Sequence, residues 1–332
     1  MKVCHFIASR GLGRGEFYID LANELSGSCE ISLLVPQGAH YLERISSAVS
    51  VHQYTSGNSR NNPFLFWELA RKIRRINPDI VHSHFGKATE IFSRLNRVLH
   101  LPQIATKHNP RKGKIFNHLP HVIAVSNRVR ETIAGDDVRV INTGITPVPV
   151  KPRSGRPGRF TLVAVGRLDP IKGFDLLIRD LALLDIDFQL KIIGSGSEQG
   201  LLENLISTLG LERKVALMGY REDIPQQLSD ADLVLISSHS EGCPVVALEA
   251  LFYGNLLLST AVGNVPEILP RELLVEHGGF AGKVMEIYQD YDRFRQLFKQ
   301  EQSELQSRFL LANIAAQHMD AYRQVLDETA GI

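Results

Sequence analysis

The sequence predicts an α/β protein of two successive domains, each a parallel sheet with helices on both faces. Three observations carry that expectation. Short apolar runs of strand length alternate with amphipathic segments of helical period, the pattern of βαβ units. A stretch rich in Pro, Gly and basic residues, Pro147-Val148-Pro149-Val150-Lys151-Pro152-Arg153-Ser154-Gly155-Arg156-Pro157-Gly158, interrupts the rhythm and reads as a linker. The rhythm then restarts, and 332 residues exceed the usual single domain.

Residues 3–8 form the first strand, followed by a Gly-rich turn and a helix from about 16 to 25. Strands at 31–35, 79–84, 104–108 and 122–126 follow, with a helix over 64–76. Beyond the linker, strands fall at 160–165, 189–193, 214–218, 233–236 and 256–259, with helices between them. A charged helical segment closes the series from 292 to 326. Open parallel sheets take ligands outside the carboxyl ends of their strands, so chemistry is expected in those loops and in a cleft between the domains.

Hydrophobic residues at 44% and charged residues at 22% describe an ordinary globular protein rather than a disordered or membranous one. No run approaches the ~18 apolar residues of a spanning helix, and the first apolar stretch is too short for a signal-peptide core. Cys4, Cys29 and Cys243 are scattered and odd in number, which indicates neither a disulfide framework nor a zinc site. The cytoplasm is the expected compartment. Residues 1–150 carry 19 basic against 11 acidic side chains, and residues 151–332 carry 18 against 25. The halves are therefore expected to meet different partners. Nucleic acid is not one of them, for the net charge is +1 and no recognised module is present.

The strongest motif is Ser238-His239-Ser240-Glu241-Gly242-Cys243-Pro244-Val245-Val246-Ala247-Leu248-Glu249-Ala250. A strand ends near Ile236, a loop carries Glu241 and Gly242, and Pro244 stands where a helix begins. Proline suits a first helical turn because its missing N–H would be unpaired there. The bare amides of Val245 and Val246, at the positive end of the helix dipole, suit a diphosphate. Gly242 lets a ligand approach the backbone closely. Glu249 is spaced to accept hydrogen bonds from a ribose, and Glu241 to face a sugar ring. A second motif, Gly166-Arg167-Leu168-Asp169-Pro170-Ile171-Lys172-Gly173-Phe174, follows the strand at 160–165. Arg167 and Lys172 can converge on one anionic group, the fork of Arg gripping phosphate oxygens and Lys acting as a point charge. Together they would neutralise charge growing on a departing diphosphate.

These motifs, with Gly254 and Gly263-Asn264-Val265-Pro266-Glu267, resemble those of the retaining GT-B glycosyltransferases of family four, which include many bacterial envelope-glycan enzymes. The likeness spans nearly the whole chain. It implies two Rossmann-like domains facing across a cleft: an acceptor-binding domain over 1–148 and a nucleotide-sugar domain over 159–305. A C-terminal helix over 306–332 would return toward the first. It implies that Arg167 and Lys172 hold the donor phosphates, that Glu241 contacts the transferred sugar, and that Glu249 contacts the ribose. Gly242, Cys243, Pro244 and Val245 would line the donor, with Gly219, Tyr220 and Arg221 around the base. Gly13 and Gly15 would approach the phosphates, and His108 would lie beside the transferring sugar. Arg14, His84 and Lys107 are candidates for the acceptor side. The chain departs from the family pattern at Arg14, Thr146 and Asn264, where a second glycine, an acid and a glycine are usual.

Histidines need weighing one by one. His5, His40 and His318 are read as packed or solvated, and His82 and His84 as alternating on their strand so that only one faces the cleft. The basic cluster Arg71-Lys72 with Arg74-Arg75, preceded by Phe64, Phe66 and Trp67, reads either as a helix resting on an anionic bilayer or as one whose aromatics pack inward. The expected reaction moves a hexose or N-acetylhexosamine, with uridine diphosphate sugars favoured, to a lipopolysaccharide, capsule or lipid-linked acceptor, at the inner membrane face. Family resemblance implies no metal and no cofactor beyond the nucleotide sugar. Three alternatives compete. Gly194-Ser195-Gly196-Ser197-Glu198-Gln199-Gly200 resembles a relaxed dinucleotide fingerprint, pointing to a nicotinamide oxidoreductase. A GT-B epimerase or phosphorylase and a non-catalytic nucleotide-sugar binder share the scaffold.

Overall fold

The computed structural model describes residues 1–11, 16–57, 59–111, 113–135, 137–151, 158–300 and 302–330. The chain divides into two compact units, Met1–Gly144 with Leu310–Ile332, and Ile145–Phe309.

The first unit holds seven parallel strands: β1 (Lys2–Ile7), β2 (Glu30–Pro36), β3 (Ser50–Tyr54), β4 (Ile80–His84), β5 (Gln103–Lys107), β6 (Val122–Ala124) and β7 (Val138–Val140). Their order is β3-β2-β1-β4-β5-β6-β7, so the connection reverses direction between β1 and β4. Helices α1 (Phe17–Leu25), α2 (Pro63–Ile76), α3 (Phe85–Leu99) and α4 (Asn127–Arg130) link them. β1 is buried on both faces. Val3 and Ile7 pack with α1, while Cys4 and Phe6 pack with α2 and α3. Its near-continuous apolar sequence is that of a central parallel strand.

α2 shows how locally its boundaries are set. The Asn62 side chain accepts from the Phe64 amide at 3.1 Å, Pro63 occupies the first turn, and Asn77 ends the helix in the left-handed region. Leu65, Leu69, Ile73 and Ile76 are buried, and Phe66 packs beside them. Phe64 and Trp67 do not turn inward: they are 74% and 64% exposed, with the Arg71 guanidinium 5.0 Å over the indole.

The second unit has a five-stranded parallel sheet of β8 (Phe160–Val165), β9 (Phe188–Ile193), β10 (Val215–Leu217), β11 (Leu233–Ile236) and β12 (Leu257–Ser259). The order is β10-β9-β8-β11-β12, with the switch between β8 and β11. Its helices are α5 (Phe174–Leu181), α6 (Gln199–Thr208), α7 (Ile224–Asp230), α8 (Val245–Tyr253), α9 (Phe280–Gln289), α10 (Tyr291–Lys299) and α11 (Gln302–Arg308).

The charged segment expected to be helical over 292–326 is helical and divides into three helices. After α10 and α11, the helix α12 (Leu311–Ala330) leaves the second unit and packs on α1, burying Ile314, Ala321, Tyr322 and Val325 in the core of the first. The division between units falls at Gly144 and Ile145, ahead of the Pro-rich linker, because Val148 and Lys151 are already tied to Tyr253 and Gln226.

Candidate functional site

The β8–β11 switch point brings the two motifs of the second unit together. The chain leaves β8 through Gly166 and Arg167, makes a short 3-10 turn at Pro170–Lys172, and enters α5 through Gly173. Gly173 has φ +61°, and a Cβ there would lie 2.5 Å from the Ser237 carbonyl oxygen, so only glycine fits. That close approach is stitched on both sides: the Ser237 hydroxyl donates to the Lys172 carbonyl at 2.9 Å, and the His239 amide to the Ile171 carbonyl at 2.8 Å. The loop after β8 and the loop after β11 are thereby one construction.

Its centre is a pair. The Lys172 ammonium donates to Glu241 Oε1 at 2.6 Å, and the Ser238 hydroxyl donates to the same oxygen at 2.8 Å. Both charged side chains are largely buried, at 17% and 18% exposure. The Lys172 stem lies across Gly166, where a Cβ would meet its Cε at 2.9 Å. Arg167 is more open, 61% exposed, and forms an ion pair with Asp169 at 2.8 Å.

Three residues beyond Glu241 the chain enters α8. Pro244 is the N-cap itself rather than the first helical residue, and no side chain of the described residues caps the helix. The amides of Val245 and Val246 therefore open the helix without side-chain partners, beside buried Gly242 and half-buried Cys243. Further along α8, Glu249 is half-buried, and no hydrogen bond or ion pair reaches its carboxylate among the described residues. Desolvation pushes its pKa up to about 7. Gly219 accepts from the Gly194 amide at 2.8 Å. Tyr220 is half-exposed, and Arg221 is held in a two-pronged ion pair by Asp223, with N···O distances of 2.7 and 2.6 Å. Gly194 and Gly196 have a packing reason: a Cβ would lie 1.9 Å from the Gly166 carbonyl oxygen at the first and 2.3 Å from the Leu168 carbonyl oxygen at the second. They seat the turn after β8 and do not form the dinucleotide fingerprint considered above.

In the first unit, Gly13, Arg14 and Gly15 lie outside the described residues. Glu16, just after them, is nearly buried and bound by Arg44 at 3.1 Å. The histidines differ from expectation. His82 and His84 do not face opposite ways, since residues two apart on a strand share a face. Their ring centres are 4.1 Å apart. His84 is 1% exposed and lies behind His108, to which it is hydrogen-bonded at 3.1 Å. It therefore cannot itself meet an acceptor. His108 is partly exposed at the end of β5 and stacks on Phe85 at 4.2 Å. Phe85 has φ +65°, a left-handed conformation rare for a bulky residue and a signal of a functional constraint. The sequence reading missed it.

Lys107 also needs correcting. It is 2% exposed, and its ammonium donates to the Thr132 carbonyl and hydroxyl at 3.1 and 2.6 Å. It holds the domain together and does not project into the loops. Two groups of described residues offer ligand atoms within 4.8 Å of one another: the buried His5, His82 and His84, and the more exposed His121, Asp137 and Glu328. Asp290 and Asp292 stand at the start of α10, away from any strand end.

The family model for glycosyl transferases group 1 matches residues 151–305, and that for glycosyltransferase family 4 matches residues 13–148. The GPI3 subunit of the phosphatidylinositol N-acetylglucosaminyltransferase of Saccharomyces cerevisiae is 29% identical over 181 residues, 48% of this chain and 40% of that protein. The chain thus spans well under half the length of that relative. The lipopolysaccharide core biosynthesis glycosyltransferase LpsD of Rhizobium meliloti is 22% identical over 97% of this chain and 98% of its own. In structure, Anabaena HepE in complex with UDP-glucose superposes with a TM-score of 0.81 at 19% identity, covering 100% of both chains.

Proposed function

We propose that the chain, a member of the group 1, family 4 glycosyltransferases with the two Rossmann-like sheets of the GT-B fold, is a sugar-transferring enzyme that takes its donor at the β8–β11 switch of the second unit. In this reading the donor is a nucleoside diphosphate sugar, with UDP favoured, and the transferred group is a hexose or N-acetylhexosamine. UDP-glucose bound to HepE is consistent with that choice. The acceptor is a lipopolysaccharide, capsule or lipid-linked glycan, in keeping with the activities named for LpsD and GPI3.

The observation that carries the reading is the Lys172–Glu241 pair beside the uncapped start of α8. An ammonium ion and free helix amides attract the diphosphate, while the carboxylate turns to the sugar hydroxyls. When the acceptor oxygen bonds to the anomeric carbon, with configuration retained, the bond to the β-phosphate oxygen breaks and the acceptor proton passes to the departing diphosphate. Negative charge grows on the leaving diphosphate, where Lys172 and the α8 dipole stabilise it in place of a metal ion. Glu249 receives the ribose hydroxyls, and Arg167, Tyr220 and Arg221 bound the nucleotide.

The aromatic and basic face of α2 supports a site of action at an anionic membrane surface, with Phe64 and Trp67 as interfacial anchors and Arg71, Arg74 and Arg75 beside them. No helix of the described residues is long and apolar enough to cross a membrane.

The deciding experiment is a thermal-shift screen of nucleotide sugars followed by NMR of the product anomer. A donor at 100 times its dissociation constant stabilises by about 2.7 kcal/mol. A retained anomeric configuration in the product is expected; inversion, or no response to any nucleotide sugar, would refute the reading.

A further inference from the structure

Six side chains of the first unit form one unbroken hydrogen-bonded line. Thr106 Oγ1 meets His82 Nε2 at 2.6 Å, and His82 Nδ1 meets the Tyr322 hydroxyl at 2.7 Å. The same hydroxyl meets His5 Nε2 at 3.4 Å, and His5 Nδ1 meets His84 Nε2 at 2.9 Å. His84 Nδ1 meets His108 Nε2 at 3.1 Å. Five of the six are at most 2% exposed; only His108 opens outward. The line joins β1, β4, β5 and α12, and its ends lie two residues apart on one strand and the loop that follows it.

Burial keeps these imidazoles neutral, with His5 and His108 held down to about 3 and His82 and His84 well below the usual range. A neutral imidazole has one N–H and one bare nitrogen. Every ring here turns Nε2 toward the Thr106 end and Nδ1 toward the His108 end, His108 itself turning Nε2 back along the line. Two arrangements pair every link between the rings: all four protonated on Nδ1, or all four on Nε2. A change of sense between two directly bonded rings sets two donors or two acceptors face to face, and a change at the Tyr322 hydroxyl leaves either its own proton or one ring nitrogen unpaired.

Thr106 decides between the two. In the Nδ1 sense its hydroxyl donates to His82 Nε2. In the Nε2 sense it accepts from His82, and its own proton then has no acceptor among the described residues. A buried hydroxyl proton without a partner disfavours that arrangement by roughly tenfold or more. We propose that Thr106, His82, Tyr322, His5 and His84 set the tautomer of His108, so that it presents a neutral Nδ1–H donor at the carboxyl end of β5. Thr106 and Tyr322 are then positioning residues, and His108 gives a hydrogen bond and takes up no proton. The use of that donor on a sugar oxygen rests on the reading of His108 given above; the tautomer does not.

The test is NMR of the whole chain labelled with imidazole 15N, which distinguishes protonated from bare ring nitrogens. In the wild type at pH 7, His5, His82, His84 and His108 are all expected to be protonated on Nδ1. Any one of them protonated on Nε2, or averaged between the two, overturns the proposal. Thr106→Val removes the deciding hydroxyl with little change of shape and leaves His82 Nε2 unpaired in either sense, so His108 should lose its preference and average between Nδ1 and Nε2; Thr106→Ser should restore Nδ1. Tyr322→Phe should cut the line and leave His108 averaged, and if that variant does not fold, the Thr106 pair decides alone. An unchanged His108 in Thr106→Val overturns the proposal. Turnover in Thr106→Val should fall about three- to tenfold, as for loss of one hydrogen bond, with the donor KM unchanged. Loss of the Nδ1 preference with unaltered turnover would keep the line and remove His108 from the sugar.

Discussion

Glu249 offers the most direct test of the donor site, because its carboxylate has no hydrogen-bond or ion-pair partner among the described residues. Its pKa is raised from the ordinary 4.5 to about 7 by burial in α8. A folded-state pKa above the unfolded value means that the protonated form favours the fold. The contribution of Glu249 to stability is therefore highest below about pH 4.5, falls as the pH rises from there through 7, and levels off above. The displacement corresponds to about 3 kcal/mol; some contact with water reduces that to about 2 kcal/mol. Glu249→Gln removes the charge and keeps the shape. At pH 8 the variant should be more stable than the wild type by about 2 kcal/mol, a rise of about 4–8 °C in the melting temperature of a unit of this size. At pH 4.5 the two should melt within a degree or two. Parallel stability curves from pH 4.5 to 8 would refute the reasoning. The same carboxylate, once ionised, accepts ribose hydroxyls more strongly, so nucleotide affinity in the wild type should weaken as the pH falls below 7. The variant should bind nucleotide weakly at every pH.

Lys172→Ala should lower turnover by at least ~100-fold, the scale of a lost electrostatic contact to a leaving group; near-normal turnover in a folded variant would remove Lys172 from the reaction. Trp67→Ala with Phe64→Ala should lower sedimentation with vesicles containing anionic lipid several-fold while leaving turnover on a soluble acceptor unchanged, and equal sedimentation would argue against α2 as the contact. Gly173→Ala should destabilise the second unit by about 2–4 kcal/mol, since it combines a left-handed φ with a carbonyl 2.5 Å away; calorimetry showing an unshifted transition would mean that the turn accommodates the methyl group.

The second unit was legible in the sequence because its chemistry is local. Strand, anion-binding turn and helix follow one another at 160–181 and again at 233–253, and each motif contains the glycine or proline that its backbone requires. The Lys172–Glu241 ion pair was not readable, since it depends on β8 and β11 being neighbours. β3 escaped notice because an edge strand reading Ser-Val-His-Gln-Tyr has no apolar run, and β7 because it is three residues long. The histidine line was hidden for a different reason. Its members lie up to 317 residues apart, and one of its links is a tyrosine on the last helix. His82 and His84, two residues apart on β4, share a face and do not alternate. Lys107 shows the opposite failure: a basic residue in a basic stretch that the fold takes inside.

The route of α12 also has a consequence for biosynthesis. The domain whose strands leave the ribosome first lacks part of its core until the final helix arrives, after the whole of the second unit has been made. The unit synthesised later is contiguous in sequence and can close as soon as it emerges, whereas the earlier one waits with α1 uncovered. Maturation therefore runs against the order of translation, and the nascent first domain presents the apolar side of α1 to chaperones for the longest time.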